Sequence, residues 1–157
     1  MSTDLTVGSK APEFELPVAE GETVSLKDLA GKNVVLYFYP KDDTPGCTKE
    51  AIAFTQAKSD FEAANTTIIG VSADSLKAHA KFSDKHDLAI TLASDEEKQA
   101  IEAYGVWVEK SMYGRKYMGI ERATYLIDSA GKIAQIWRKV KVPGHVDKVL
   151  ETARELS

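Results

Sequence analysis

Apolar positions along this chain follow two rhythms, and their alternation outlines the elements. The stretch "NVVLYFYP" at 33–40 is a continuous apolar, β-branched and aromatic run, the pattern of a strand covered on both faces, and it stops at Pro40. After a turn, "TKEAIAFTQAKSDFEAA" sets Ile52, Phe54, Ala57 and Phe61 at helical spacings with charges between them, which predicts a helix. "TTIIGVSAD" is a second buried strand, "SLKAHAKFSDKHD" a second helix and "LAITLAS" a short strand. Ser94 with Glu97 reads as a capping box opening a third helix in "DEEKQAIEAYG". "ATYLIDSAGKIAQIW" alternates on either side of Ser-Ala-Gly, a hairpin signal, and "PGHVDKVLETARELS" closes the chain with Val146, Val149, Leu150 and Ala153 on one helical face. Before all of these, "APEFELP" and "TVSLKDLAGK" alternate and then turn over a short helical piece ended by Gly31.

Strand, helix, strand, helix, strand, helix, hairpin and final helix make an α/β layer structure, with parallel strands joined by crossover helices and an antiparallel last pair. No repeat, low-complexity tract or Pro/Gly/Ser linker interrupts the 157 residues, so one domain over 1–157 is expected, and 43% hydrophobic content supplies its core. The formal charge of −4 offers phosphate backbones no general attraction. The basic stretches "EKSMYGRKY" and "WRKVKV" read as solvated loop and strand faces, so no nucleic-acid partner is expected. The longest apolar run, "VVLYFY", is far below the ~18 residues of a membrane span, and the N-terminal stretch lacks an export signal's basic head and apolar middle. A cytoplasmic protein without membrane contact is the expectation, and a single unpaired cysteine agrees with a reducing compartment.

That cysteine, Cys47, directs the search for chemistry. In an open α/β sheet the working site lies off the carboxyl ends of the strands, and Cys47 follows such an end. A cysteine by itself is commonly an inert buried hydrophobe. At a helix N-terminus, however, unpaired backbone N–H groups and the positive end of the dipole favour thiolate over thiol. Thr44, three residues earlier, can bring its hydroxyl over the same pocket through the turn at Pro45 and Gly46, to accept from a substrate O–H or donate to an oxygen. Taken alone, Thr44 is equally an ordinary helix cap and Pro40 an ordinary strand terminator. A phosphatase-type loop wants an arginine six residues after the sulfur, where Ala53 stands. His79, His86 and His145 show no metal-ligand spacing, and structural or surface roles suit them; no glycine pattern for nucleotides occurs, so no metal or cofactor is implied.

"PKDDTPGC" fits the peroxiredoxin signature Pro-x-x-x-Thr/Ser-x-x-Cys, and "FYPKDDTPGCTKE" resembles the bacterioferritin-comigratory, or Q-type, branch of that family. "SDEEKQAIEAYGVW", "EKSMYGRKYMGIERATYLID" and "IWRKVKVPGH" resemble the same branch, so the likeness spans nearly the whole chain. It implies a thioredoxin-like fold, a central mixed sheet flanked by helices, and a thiol peroxidase acting on hydrogen peroxide and organic hydroperoxides. By the same resemblance Cys47 is the peroxidatic sulfur, Thr44 positions the peroxide, and Pro40 shields the sulfur from water. Arg122 in "GIERATYLID" then stabilises the thiolate and holds the substrate oxygens; alone, beside Glu121, it reads as a surface ion pair. Glu50 matches a common acidic position, although a carboxylate in the first turn of a helix is already explained by the dipole.

The chain departs from the branch where a second cysteine usually resolves the sulfenic acid. Ile52 and Ser83 occupy the two usual places, and neither can form a disulfide. The expectation is a one-cysteine cycle closed by an external thiol, whether glutathione, glutaredoxin or thioredoxin, with easier overoxidation under excess peroxide. A monomer is the expected state. Two other readings stay open at the level of sequence: a sensor that passes its oxidation to a partner protein, and a scaffold that keeps only the fold. A scaffold needs none of Pro40, Thr44, Cys47 and Arg122.

Overall fold

In the computed structural model, which describes residues 5–156, the sheet is built around the two apolar runs. β1 (Glu15–Pro17) and β2 (Thr23–Ser25) pair as a small antiparallel ribbon ahead of β3 (Asn33–Phe38). α1 (Pro45–Ala63), β4 (Thr66–Ser72), α2 (Leu76–His86), β5 (Thr91–Ser94) and α3 (Gln99–Ala103) follow. β6 (Trp107–Met112) and β7 (Arg115–Ile120) form a separate hairpin, and β8 (Ala123–Ile127), β9 (Ile133–Trp137) and α4 (His145–Leu156) complete the chain. The central sheet has the order β5-β4-β3-β8-β9, with β3, β4 and β5 parallel and β8 and β9 antiparallel to their neighbours. This is the α/β architecture with a central mixed sheet and flanking helices that the sequence led us to expect.

The unbroken apolar run of β3 is explained by its place at the middle of that sheet. Val34, Leu36 and Phe38 point into one core with Ile69, Val71, Ile101, Tyr104 and Tyr125, and α3 covers that face. Val35, Tyr37 and Tyr39 point into the other, against Phe54 and Phe61 of α1, Phe82 of α2 and Val149 and Leu150 of α4. With both faces buried, alternation with polar residues would strand side chains away from water, so the run stays apolar. Gly70 in β4 is part of the same packing: a Cβ there would lie 2.7 Å from the ring of Tyr37, which stacks on Phe54 with centroids 4.6 Å apart.

Two sequence expectations need correction. Ser94 and Glu97 do not form a capping box: Ser94 donates to the Asp74 carbonyl, and Asp95 accepts from the backbone N–H groups of Gln99 and Ile101 at 2.8 and 2.9 Å. Lys98 is left-handed (φ 61°), so α3 starts later and is shorter than the pattern indicated. The stretch containing "EKSMYGRKY" is a regular two-stranded hairpin, β6–β7, whose turn at Tyr113 and Gly114 has φ of 52° and 76°. Exposed Met112, Tyr113, Tyr117 and Met118 hid it, because towards the turn neither face is buried and the hydrophobic alternation is lost.

Candidate active site

β3 delivers the chain to the site, ending at Phe38, and half-buried Pro40 follows two residues on. The loop that follows turns at Asp43, whose φ is 57°, and Thr44 is the N-cap of α1 with an extended backbone (φ −99°, ψ 155°). Pro45 takes the first helical position, where its fixed φ suits the turn and its missing N–H is no loss. Cys47 is therefore the third residue of a nineteen-residue helix, inside the first turn whose N–H groups have no carbonyl partner in the helix. Its side chain is 2% exposed.

Arg122 reaches this turn from the connection between β7 and β8. β8 runs antiparallel beside β3 with Ala123 opposite Phe38, so the residue before Ala123 emerges at the carboxyl end of β3 where α1 begins. That register brings together groups far apart in the chain. Arg122 Nη2 donates to Cys47 Sγ at 3.3 Å, and Nη1 donates to Glu50 Oε1 at 2.7 Å. The close approach depends on Gly46: a Cβ at that position would sit 3.0 Å from Arg122 Nη2. Arg122 does not pair with its neighbour Glu121, which instead holds Arg138 and accepts from the backbone N–H of Lys139.

Glu50 is the residue that the sequence reading explained too simply. It lies one turn beyond Cys47 on the buried side of α1, is wholly inaccessible, and has Oε1 on Arg122 while Oε2 has no partner. Burial pushes its carboxyl up and Arg122 pulls it down; burial prevails, leaving its pKa at about 7. Below it lies Tyr37, whose hydroxyl is also buried and unpartnered and whose pKa is driven well up by burial and then by the charge of Glu50. A helical projection carries the missed signal: Cys47, Glu50, Ala51, Phe54 and Phe61 are the buried residues of α1, and one of them is an acid.

Thr44 Oγ1 donates to the Lys41 carbonyl at 2.8 Å and makes no capping bond to the helix. Its hydrogen is thus engaged and its lone pairs are left to accept. Around the site, burial and then Arg122 and Lys148 lower His145 to about 4, and burial and then Arg122 lower Lys110. A buried, arginine-bound sulfur at a helix start, with an accepting hydroxyl three residues before it in the chain, suits attack on a small electrophile that carries an O–H group. Ile52 and Ser83 are the only side chains at the expected resolving places, and the sole cysteine among the described residues is free.

The AhpC/TSA family model matches residues 7–136. A putative peroxiredoxin, bcp, of Coxiella burnetii is 54% identical over 93% of this chain and 97% of that protein, and peroxiredoxin Bcp of Bacillus subtilis is 49% identical over 98% of each. Among solved structures, PrxQ of Xylella fastidiosa superposes with a TM-score of 0.92 at 36% identity and covers 98% of both chains. The bacterioferritin comigratory protein of Xanthomonas campestris, described for its alkyl peroxide reduction activity, superposes with a TM-score of 0.88 at 41% identity over 96% of both.

Proposed function

This chain belongs to the AhpC/TSA family and is a thiol-dependent peroxidase, and we propose that Cys47 is its peroxidatic sulfur, with Arg122, Thr44 and Pro40 completing the site. The observation that carries the assignment is the Arg122 Nη2 to Cys47 Sγ contact of 3.3 Å in the first turn of α1. The guanidinium and the free N–H groups of the turn offset negative charge on sulfur and, in the transition state, on the peroxide oxygens. Thr44, with its hydrogen on Lys41, accepts the O–H of the peroxide and aligns the O–O bond with the sulfur. Pro40 narrows the approach to water. Glu50 holds Arg122 in place from behind.

The thiolate of Cys47 attacks the hydroxyl oxygen of ROOH, an S–O bond forms and the O–O bond breaks. Sulfur loses two electrons and the departing RO⁻ takes a proton to leave as ROH or water. Cys47 is left as sulfenic acid. With no second cysteine in the chain, an external thiol condenses with it, releasing water, and a second thiol displaces the mixed disulfide. Glutathione, glutaredoxin and thioredoxin are the candidate donors. All the groups come from one chain, so a single-domain monomer suffices for the reaction, and the unpaired cysteine suits the reducing cytoplasm. The test is one equivalent of hydrogen peroxide added to reduced protein without thiol, with dimedone trapping read by mass spectrometry. Rapid stoichiometric consumption and one adduct on Cys47, absent in Cys47→Ser, are expected; a reaction no faster than free cysteine would overturn the assignment.

A further inference from the structure

The loop that carries Pro40 and Thr44 is anchored to α2 by two aspartates of different character. Asp43 is on the outside, with Oδ2 on Lys85 Nζ at 2.8 Å and Oδ1 on His86 Nε2 at 2.9 Å, where water can replace either partner at little cost. Asp42 is buried and fully engaged. Its backbone N–H donates to Asp74 Oδ2 at 2.8 Å, Oδ1 accepts from the Tyr39 hydroxyl at 2.6 Å, and Oδ2 lies 2.6 Å from His79 Nδ1. His79, 4% exposed, has its other nitrogen, Nε2, 2.9 Å from the carbonyl oxygen of Ala93 in β5.

Both neighbours of the ring are acceptors. A carbonyl oxygen only accepts, and an ionised carboxylate only accepts. Each imidazole nitrogen must then carry a proton, and His79 is a buried imidazolium clamped between β5 and the loop. We propose that His79 is a positioning residue of the peroxidatic site, locking Asp42 and with it the loop that leads from Pro40 through Thr44 to Cys47. This rests on the assignment of Cys47 as the peroxidatic sulfur.

The lock needs both protons, because loss of the one on Nδ1 sets a lone pair against a carboxylate oxygen. Tyr39 faces the ring from just beyond β3, Asp42 from the loop and Asp74 from the β4–α2 connection, while Glu20, Glu22, Lys77 and Asp84 share the open groove on its outer side. Burial disfavours the cation, but the bond and charge of Asp42, the Ala93 carbonyl and the charge of Asp74 outweigh it, so His79 is held above the ordinary histidine value. The lock is therefore complete below the unfolded histidine value of about 6.5 and is lost as pH rises through the higher folded value.

Two measurements on the intact chain test this. In ¹⁵N NMR, His79 is expected to keep both ring nitrogens protonated well above pH 6.5; titration at the ordinary histidine value would overturn the proposal. In stopped-flow oxidation of Cys47 by hydrogen peroxide, His79→Gln and Asp42→Asn are expected to lower the rate constant about ten- to a hundredfold while still giving a single sulfenate, and to lose the alkaline decline of the wild type. Variants with the wild-type rate and pH profile would overturn it. Where a variant does not fold, judged by near-UV circular dichroism, the wild type decides alone: its alkaline decline must coincide with the NMR titration of His79, and a mismatch refutes the lock. A wild type that forms no sulfenate at all would remove the Cys47 assignment instead.

Discussion

Arg122 is the residue on which charge and geometry converge, since one guanidinium serves a buried carboxylate and the sulfur at once. Arg122→Ala is expected to slow Cys47 oxidation by about a hundredfold or more, measured by stopped flow. It should also destabilise the fold by about 3 kcal/mol in urea melts, because Glu50 is left as an unpaired buried acid. Gly46→Ala separates these effects: the added methyl presses Arg122 away from the sulfur by a few tenths of an ångström, so the rate should fall several-fold while the urea midpoint hardly moves. Glu50 adds a pH dependence. Its folded pKa, about 7, is above its unfolded value, so the folded chain binds the extra proton and the stability it contributes is present at low pH and lost as pH rises through 7. Glu50→Gln should therefore gain stability relative to the wild type at pH 8 compared with pH 5, as read by paired denaturant melts; an unchanged difference would count against the buried acid.

At the scale of elements, the site depends on how α1 and α4 lie on the sheet. Tyr37 fills the space above Gly70, and Gly70→Ala should cost about 1–3 kcal/mol because the ring is fully buried against Phe54 and cannot yield. α4 is pinned at its start by His145, whose Nε2 lies 2.8 Å from Thr124 Oγ1 in β8, between Trp137 and Phe54. His145 is held neutral, with its pKa lowered to about 4 by burial first and then by Arg122 and Lys148. A depressed histidine stabilises the fold above its unfolded value and loses that contribution as pH falls through the folded one, so acid should weaken this anchor between about pH 6.5 and 4. Thermal melts across that window should fall less steeply in His145→Asn than in the wild type.

For the whole molecule, the single cysteine shapes the reaction cycle. Without an internal thiol to compete for the sulfenic acid, excess peroxide without reductant should carry Cys47 to sulfinic acid, visible as two added oxygens in intact-mass spectra. Slow formation of that species would show that the folded site itself protects the sulfenate. No helix among the described residues is long and apolar enough to cross a membrane.

Much of this was legible in the sequence because local forces set it. Pro40, Thr44-Pro45-Gly46 and the apolar run of β3 specify a strand end, a cap and a helix start within a few residues, and Cys47 enters the helix's first turn as a consequence. The hairpin of β8 and β9 and the buried face of α4 were equally readable from their periods. What tertiary structure alone decided depends on register and burial across the sheet. The pairing of Ala123 with Phe38 makes Arg122 a partner of Cys47 rather than of Glu121, and the packing of α1 onto β3 turns Glu50 from a solvated first-turn acid into a buried one. Asp42 and His79, 37 residues apart, come within 2.6 Å of each other by the same means. Charge energetics depend on distance and solvent access, and neither is a property of neighbours along the chain.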